Sequence, residues 1–182
     1  MLFSFPPALI QVLLNGISKL LGASVSNQAA IIKTCTSLQA TLGFDIVHFS
    51  GTEYSTAASN AWSLFNAGNR PTCIIFPTET RHVQVAMAAI FHNNLSYAVQ
   101  AGGHSAMTGW NTYVAFIYLE SRSTDKYFTR VQDGVLFFFS RMKNVTYDAT
   151  KDTITLQPGV HWGEALTELE PLGVAPMGGR FG

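Results

Sequence analysis

Apolar and polar positions fall into an ordered series along the chain. Ala29, Ile32, Leu38 and Leu42 recur at roughly helical spacing, and Gly43 is a plausible stop. The spacing predicts a helical lead-in over 27–50. Residues 51–70 are small and polar around Tyr54, Trp62 and Phe65, which predicts loop and a short helix. The run Thr72-Cys73-Ile74-Ile75-Phe76, closed by Pro77, reads as a buried strand. A helix is predicted from Thr78, with Val83, Met87, Ile90 and Phe91 on one face and Asn93-Asn94 at its end. Leu95 to Val99 is the next strand, broken by Ala101-Gly102-Gly103. Strand, helix and strand over about 30 residues make a βαβ unit.

Gly134 to Phe139 predicts a further buried strand. Val145-Thr146-Tyr147 and the alternating Thr153-Ile154-Thr155-Leu156-Gln157 predict a hairpin with one buried face. Pro158-Gly159 turns the chain. Trp162 to Leu169 is helical, with Trp162, Leu166 and Leu169 on one side, and Pro171 to Gly173 stops it. A glycine-rich stretch starts at Gly178-Gly179.

Composition narrows the class. Of 182 residues, 47% are apolar and 12% charged, and the net charge is zero. That suits a globular core and argues against nucleic acid as a partner. No apolar run is long enough to span a membrane. Residues 1–26 fit either a secretory signal or an amphipathic helix. Cys35 and Cys73 are the two cysteines, and either one disulfide or two buried thiols fits them. The sequons Asn94-Leu95-Ser96 and Asn144-Val145-Thr146 tilt the expectation toward export.

Candidate chemistry centres on Gly102-Gly103-His104-Ser105. Glycine pairs let the backbone take positive φ, and successive amides in such a turn form an anion cradle suited to a pyrophosphate. His161, at a strand-to-helix junction, and His82 lack a second ligand at metal spacing, so no metal site is expected. His48 and His92 read as surface or packing residues, and Trp162 as core. Neither G-x-S-x-G nor G-x-G-x-x-G after a strand occurs, which removes support for a serine hydrolase or a Rossmann site.

The segments Arg70 to Thr78, Ala98 to Ser105, Gly134-Val135, Leu156 to Trp162 and Leu172 to Arg180 resemble, in order and spacing, one family. It is the PCMH-type FAD-binding domain of the vanillyl-alcohol oxidase and p-cresol methylhydroxylase superfamily, most closely the berberine bridge enzyme-like fungal oxidases. The resemblance covers about residues 35–182. It implies an α+β fold in which a small βαβ unit packs against a second, mixed sheet with FAD between them. The implied division is 1–26, a lead-in over 27–69, and an incomplete FAD-binding domain over 70–182.

The resemblance implies that His104 bonds to the 8α carbon of the isoalloxazine ring, with a noncovalent flavin as the alternative. It carries FAD contacts onto Gly102, Gly103, Ser105, Gly109, Gly159, Val160, Gly178 and Gly179. No cysteine follows Cys73, so a second, cysteinyl link is excluded within this chain. The implied activity is oxidation of a small-molecule alcohol or amine with O2 as acceptor. The alternatives are a truncated, non-catalytic product that binds flavin weakly or not at all, and a secreted binding module. Residues 113–132 interrupt the family pattern, and we expect them to be a translated, unspliced intron. Relatives are expected to continue past Gly182 with a substrate domain, so neither catalytic base nor substrate is legible.

Overall fold

The computed structural model describes residues 28–61, 67–68, 70–103 and 134–178. The expectations for residues 1–26, Trp62, Phe65, His104, Ser105, Gly109, 113–132 and Gly179 lie outside these.

Residues 28–42 form the helix α1. Ile31, Cys35 and Leu38 are its buried face, at i, i+4 and i+7, whereas Ile32 is 49% exposed. Leu38 and the half-buried Leu42 face inward as the spacing suggests, but Ile31 takes the place expected of Ala29 and Ile32. Gly43, at φ 108°, closes the helix by donating its N–H to the Gln39 carbonyl. Gln39 Nε2 then donates to the Val47 carbonyl (2.7 Å), tying α1 to the two-residue strand β1, Val47–His48. Two residues are too few to give a sequence signal. The expected short helix in 51–70 is α2, Thr52–Ser59.

The strand β2 is Cys73–Ile75. Helix α3, Thr80–His92, begins two residues later than expected. The His82 ring reaches back instead, and its Nδ1 accepts the Thr78 N–H (3.3 Å). Ala86 and Ile90 are the buried residues of α3, and Phe91 is 67% exposed. The strands β3, Tyr97–Gln100, and β4, Val135–Phe138, complete a four-stranded sheet ordered β1-β2-β4-β3. β1 runs antiparallel to β2, while β4 is parallel to both β2 and β3. The β2-α3-β3 unit is therefore split, with the later strand β4 wedged between its two strands.

The pleat sorts the core. Cys73, Ile75, Val135 and Phe137 face α1 and α3, and Ile74, Phe76, Leu136 and Phe138 face α2. All four residues of β4 are buried, as expected of a parallel strand covered on both faces. Cys35 and Cys73 are paired in a disulfide and fully buried, which joins α1 to β2.

After a short 3-10 turn, Phe139–Arg141, the strands β5, Val145–Asp148, and β6, Thr153–Leu156, pair as an antiparallel hairpin. Its alternation is as read, with Ile154 and Leu156 on one face and Thr153 and Thr155 on the other, but the inner face is only half-buried. Helix α4, Trp162–Leu169, follows. Ala165 and Leu169 point inward and Leu166 is 46% exposed, because a small side chain permits the closer approach.

Candidate functional site

The Gly102–Gly103 turn leaves the C-terminal end of β3, beside the parallel strand β4. In open parallel sheets, ligands gather at the carboxyl ends of strands. Gly103 sits at φ 72°, a conformation that side chains disfavour. Neither Gly102 nor Gly103 donates its amide N–H to another described residue. Both residues are half-buried in this bend, a geometry in which neighbouring N–H groups can receive an anion.

The second predicted segment folds onto the first. Gly159 is buried and donates its N–H to the Met142 carbonyl (2.9 Å). A β-carbon there would collide with the Phe139 carbonyl oxygen, so residue 159 is glycine for backbone packing. Val160 follows, and then His161 at the N-cap of α4. The His161 ring lies over the first turn: its Cδ2 and Nε2 are each 3.5 Å from where a β-carbon on Gly102 would stand.

Glu164 organises this end of α4. Its Oε2 accepts the His161 backbone N–H (2.9 Å), and its Oε1 pairs with the Lys143 ammonium. Those two contacts, the His161 N–H foremost, hold the Glu164 carboxyl below the ordinary carboxylate range. The His161 Nδ1 lies 3.7 Å from the same carboxylate, so the ring is flanked by Glu164 on one side and by Gly102 on the other.

The third segment meets the same helix end. A β-carbon on Gly178 would stand 2.8 Å from Cδ2 of Trp162, the first residue of α4. Trp162 is half-buried and is wrapped by the chain rather than lying in the central core. Thus Gly102–Gly103, Gly159–Val160 and Gly178 converge on the first turn of α4. His104, Ser105, Gly109 and Gly179 lie outside the described residues.

Two features escaped the reading of the sequence. His161 was weighed there only as a metal ligand, yet it is the contact between two predicted segments. Gln100, the last residue of β3, is 4% exposed and donates its side-chain amide to the Asn60 carbonyl. A buried amide ending an otherwise apolar strand was the available signal. Among the described residues, no three His, Cys, Asp or Glu side chains group as metal ligands.

No protein-family profile matches the chain. It is 31% identical over 172 residues to an uncharacterized FAD-linked oxidoreductase of Arthroderma benhamiae, a match that covers 94% of this chain and 30% of that protein. An FAD-dependent monooxygenase of Aspergillus calidoustus is 26% identical over 157 residues, with 84% of this chain and 26% of that protein covered. Among solved structures, the glucose dehydrogenase Phl p 4.0202 shares the fold at a TM-score of 0.60 and 16% identity, over 77% of this chain and 26% of that one. Glucooligosaccharide oxidase from Acremonium strictum shares it at 0.54 and 23%, over 78% and 25%. The chain spans less than a third of the length of the curated relatives it matches.

Proposed function

Because the chain belongs with the fungal FAD-linked oxidoreductases, we propose that it is the flavin-holding part of an FAD-dependent oxidase. The observation that carries this reading is the convergence of the three glycine segments on the first turn of α4, with the His161 ring against Gly102. In the proposal Gly102, Gly103 and Ser105 bind the diphosphate, and Gly109, Gly159, Val160, Gly178 and Gly179 complete the cradle.

The residues fit the group. The turn offers N–H donors that no other described residue engages, where a β-carbon is missing, which suits two anionic phosphates. His104 follows the turn directly, and near pH 7 a neutral imidazole offers a bare nitrogen for a covalent tether. In glucooligosaccharide oxidase the FAD is a 6-S-cysteinyl, 8α-N1-histidyl adduct. Here the proposal keeps only the histidyl bond, since no cysteine follows Cys73. When bound, FAD supplies the two-electron centre that takes a hydride from an alcohol or amine carbon, with O2 as the final acceptor. The chain's own residues hold and orient it.

Purified protein tests this directly. The expected result is a yellow chain whose colour survives acid precipitation, and His104→Ala releases it to the supernatant. A colourless protein that takes up no added FAD overturns the reading.

A further inference from the structure

We infer that Gln100, through its hydrogen bond to the Asn60 carbonyl, is the positioning residue of the Gly102–Gly103 turn. This rests on the reading of that turn as the flavin cradle.

Asn60 ends α2 as its C-cap, and helix-end carbonyls need a donor from outside the helix. Gln100 supplies one from the end of β3, so the bond satisfies a side-chain amide that is otherwise costly to bury. α2 in turn is fixed to the sheet. Ala57 and Ala58 pack with Ile74, Phe76, Leu136 and Phe138, and the Tyr54 hydroxyl donates to the Pro71 carbonyl (2.6 Å).

The turn is folded directly over this bond. A β-carbon on Gly103 would stand 2.8 Å from Gln100 Nε2 and 3.1 Å from the Asn60 oxygen. A side chain at 103 would therefore press on the Gln100–Asn60 bond beneath it. β3 is the outer strand of the described sheet, paired with β4 alone. Gln100 gives its end a hydrogen-bonded anchor on the end of α2 as well. A positioned turn keeps the Gly102 and Gly103 N–H groups converging on one point, which loose ends would not.

The test uses the full chain with Gln100→Met, which keeps length and packing but removes the donor. FAD titration and the visible circular dichroism of bound flavin are read beside thermal melting. We expect FAD to bind about tenfold more weakly, the worth of one buried hydrogen bond, with altered flavin dichroism and little change in helix content. Wild-type affinity and dichroism in Gln100→Met overturn the inference. If that variant does not fold, Gln100→Glu, which sets an acceptor against the Asn60 carbonyl, is judged by the same criteria. Melting of Gly103→Ala in the wild-type and Gln100→Ala backgrounds gives an arm free of flavin. The Gly103→Ala penalty should shrink once Gln100 is trimmed, and strictly additive shifts count against the inference. A wild-type chain that binds no FAD but shows this coupling sinks the functional reading and leaves the positioning role standing.

Discussion

The imidazole of His161 rests on the α-carbon side of Gly102, with two ring atoms 3.5 Å from where a side chain would begin. That distance is ordinary van der Waals contact, and Gly102 is not at positive φ. Glycine is therefore not required at 102 for folding, unlike at 103 and 159. Gly102→Ala should melt within about 1 kcal/mol of the wild type. Gly103→Ala should cost at least about 1–2 kcal/mol, for its backbone conformation and for the crowding of Gln100 Nε2. Gly159→Ala, which drives a carbon into the Phe139 carbonyl, should cost more than about 3 kcal/mol. Thermal melts give the order, and flavin titration of Gly102→Ala then reads the close approach of a ligand separately from folding.

The Cys35–Cys73 bond closes a loop of 38 residues between α1 and β2. On the loop-entropy argument it stabilises the fold by about 4 kcal/mol. Melting with and without reductant should show a large downward shift, and Cys35→Ser with Cys73→Ser should match the reduced protein. Equal melting temperatures in both conditions contradict the pairing.

Glu164 supports α4 in its ionised form. Its carboxyl is held below the usual range by the His161 N–H and the Lys143 ammonium, so its native contacts favour the anion. That contribution is complete above the ordinary glutamate value of about 4.3 and is lost as pH falls through the lower native value. The melting temperature of the wild type should therefore decline on acidification below about pH 4–5. Glu164→Gln should start lower at neutral pH and show a flatter acid limb.

Residues 113–132 can be removed without breaking the sheet, if they are the extra segment that the sequence indicates. Parallel strands need a connection of about a dozen residues, and residues 101–112 with 133–134 provide it between β3 and β4. The deletion variant should melt at or above the wild-type temperature. Transcript reads that skip the corresponding bases would identify the segment as an intron. A deletion variant that cannot fold argues that the segment belongs to the protein.

Local pattern was legible wherever one residue's neighbours in sequence decide its fate. The strands at Cys73–Ile75 and Val135–Phe138, the hairpin at Val145–Leu156 and the helices on either side follow from runs and alternation. What escaped was decided at long range. The placing of β4 between β2 and β3 depends on pairing across more than 30 residues, which no window reveals. The inward faces of α1 and α4 turn on Ile31 and Ala165, because helix spacing alone does not say which of two adjacent positions meets the sheet. At the site, Gly102, Gly159 and Gly178 were readable as turns. That they share the end of α4 was not, because His161 and Trp162 make the joins through side chains whose direction spacing does not give.

The split βαβ arrangement has a cost during synthesis. β2 and β3 are finished while β4 is still unmade, and at about 5–20 residues per second the gap between Gln100 and Val135 lasts about 2–7 s. Throughout that wait two apolar strands stand with bare edges, each able to recruit a strand from a neighbouring nascent chain. Yield in a heterologous host should therefore depend on growth temperature and chaperone supply more steeply than the stability of the finished protein suggests.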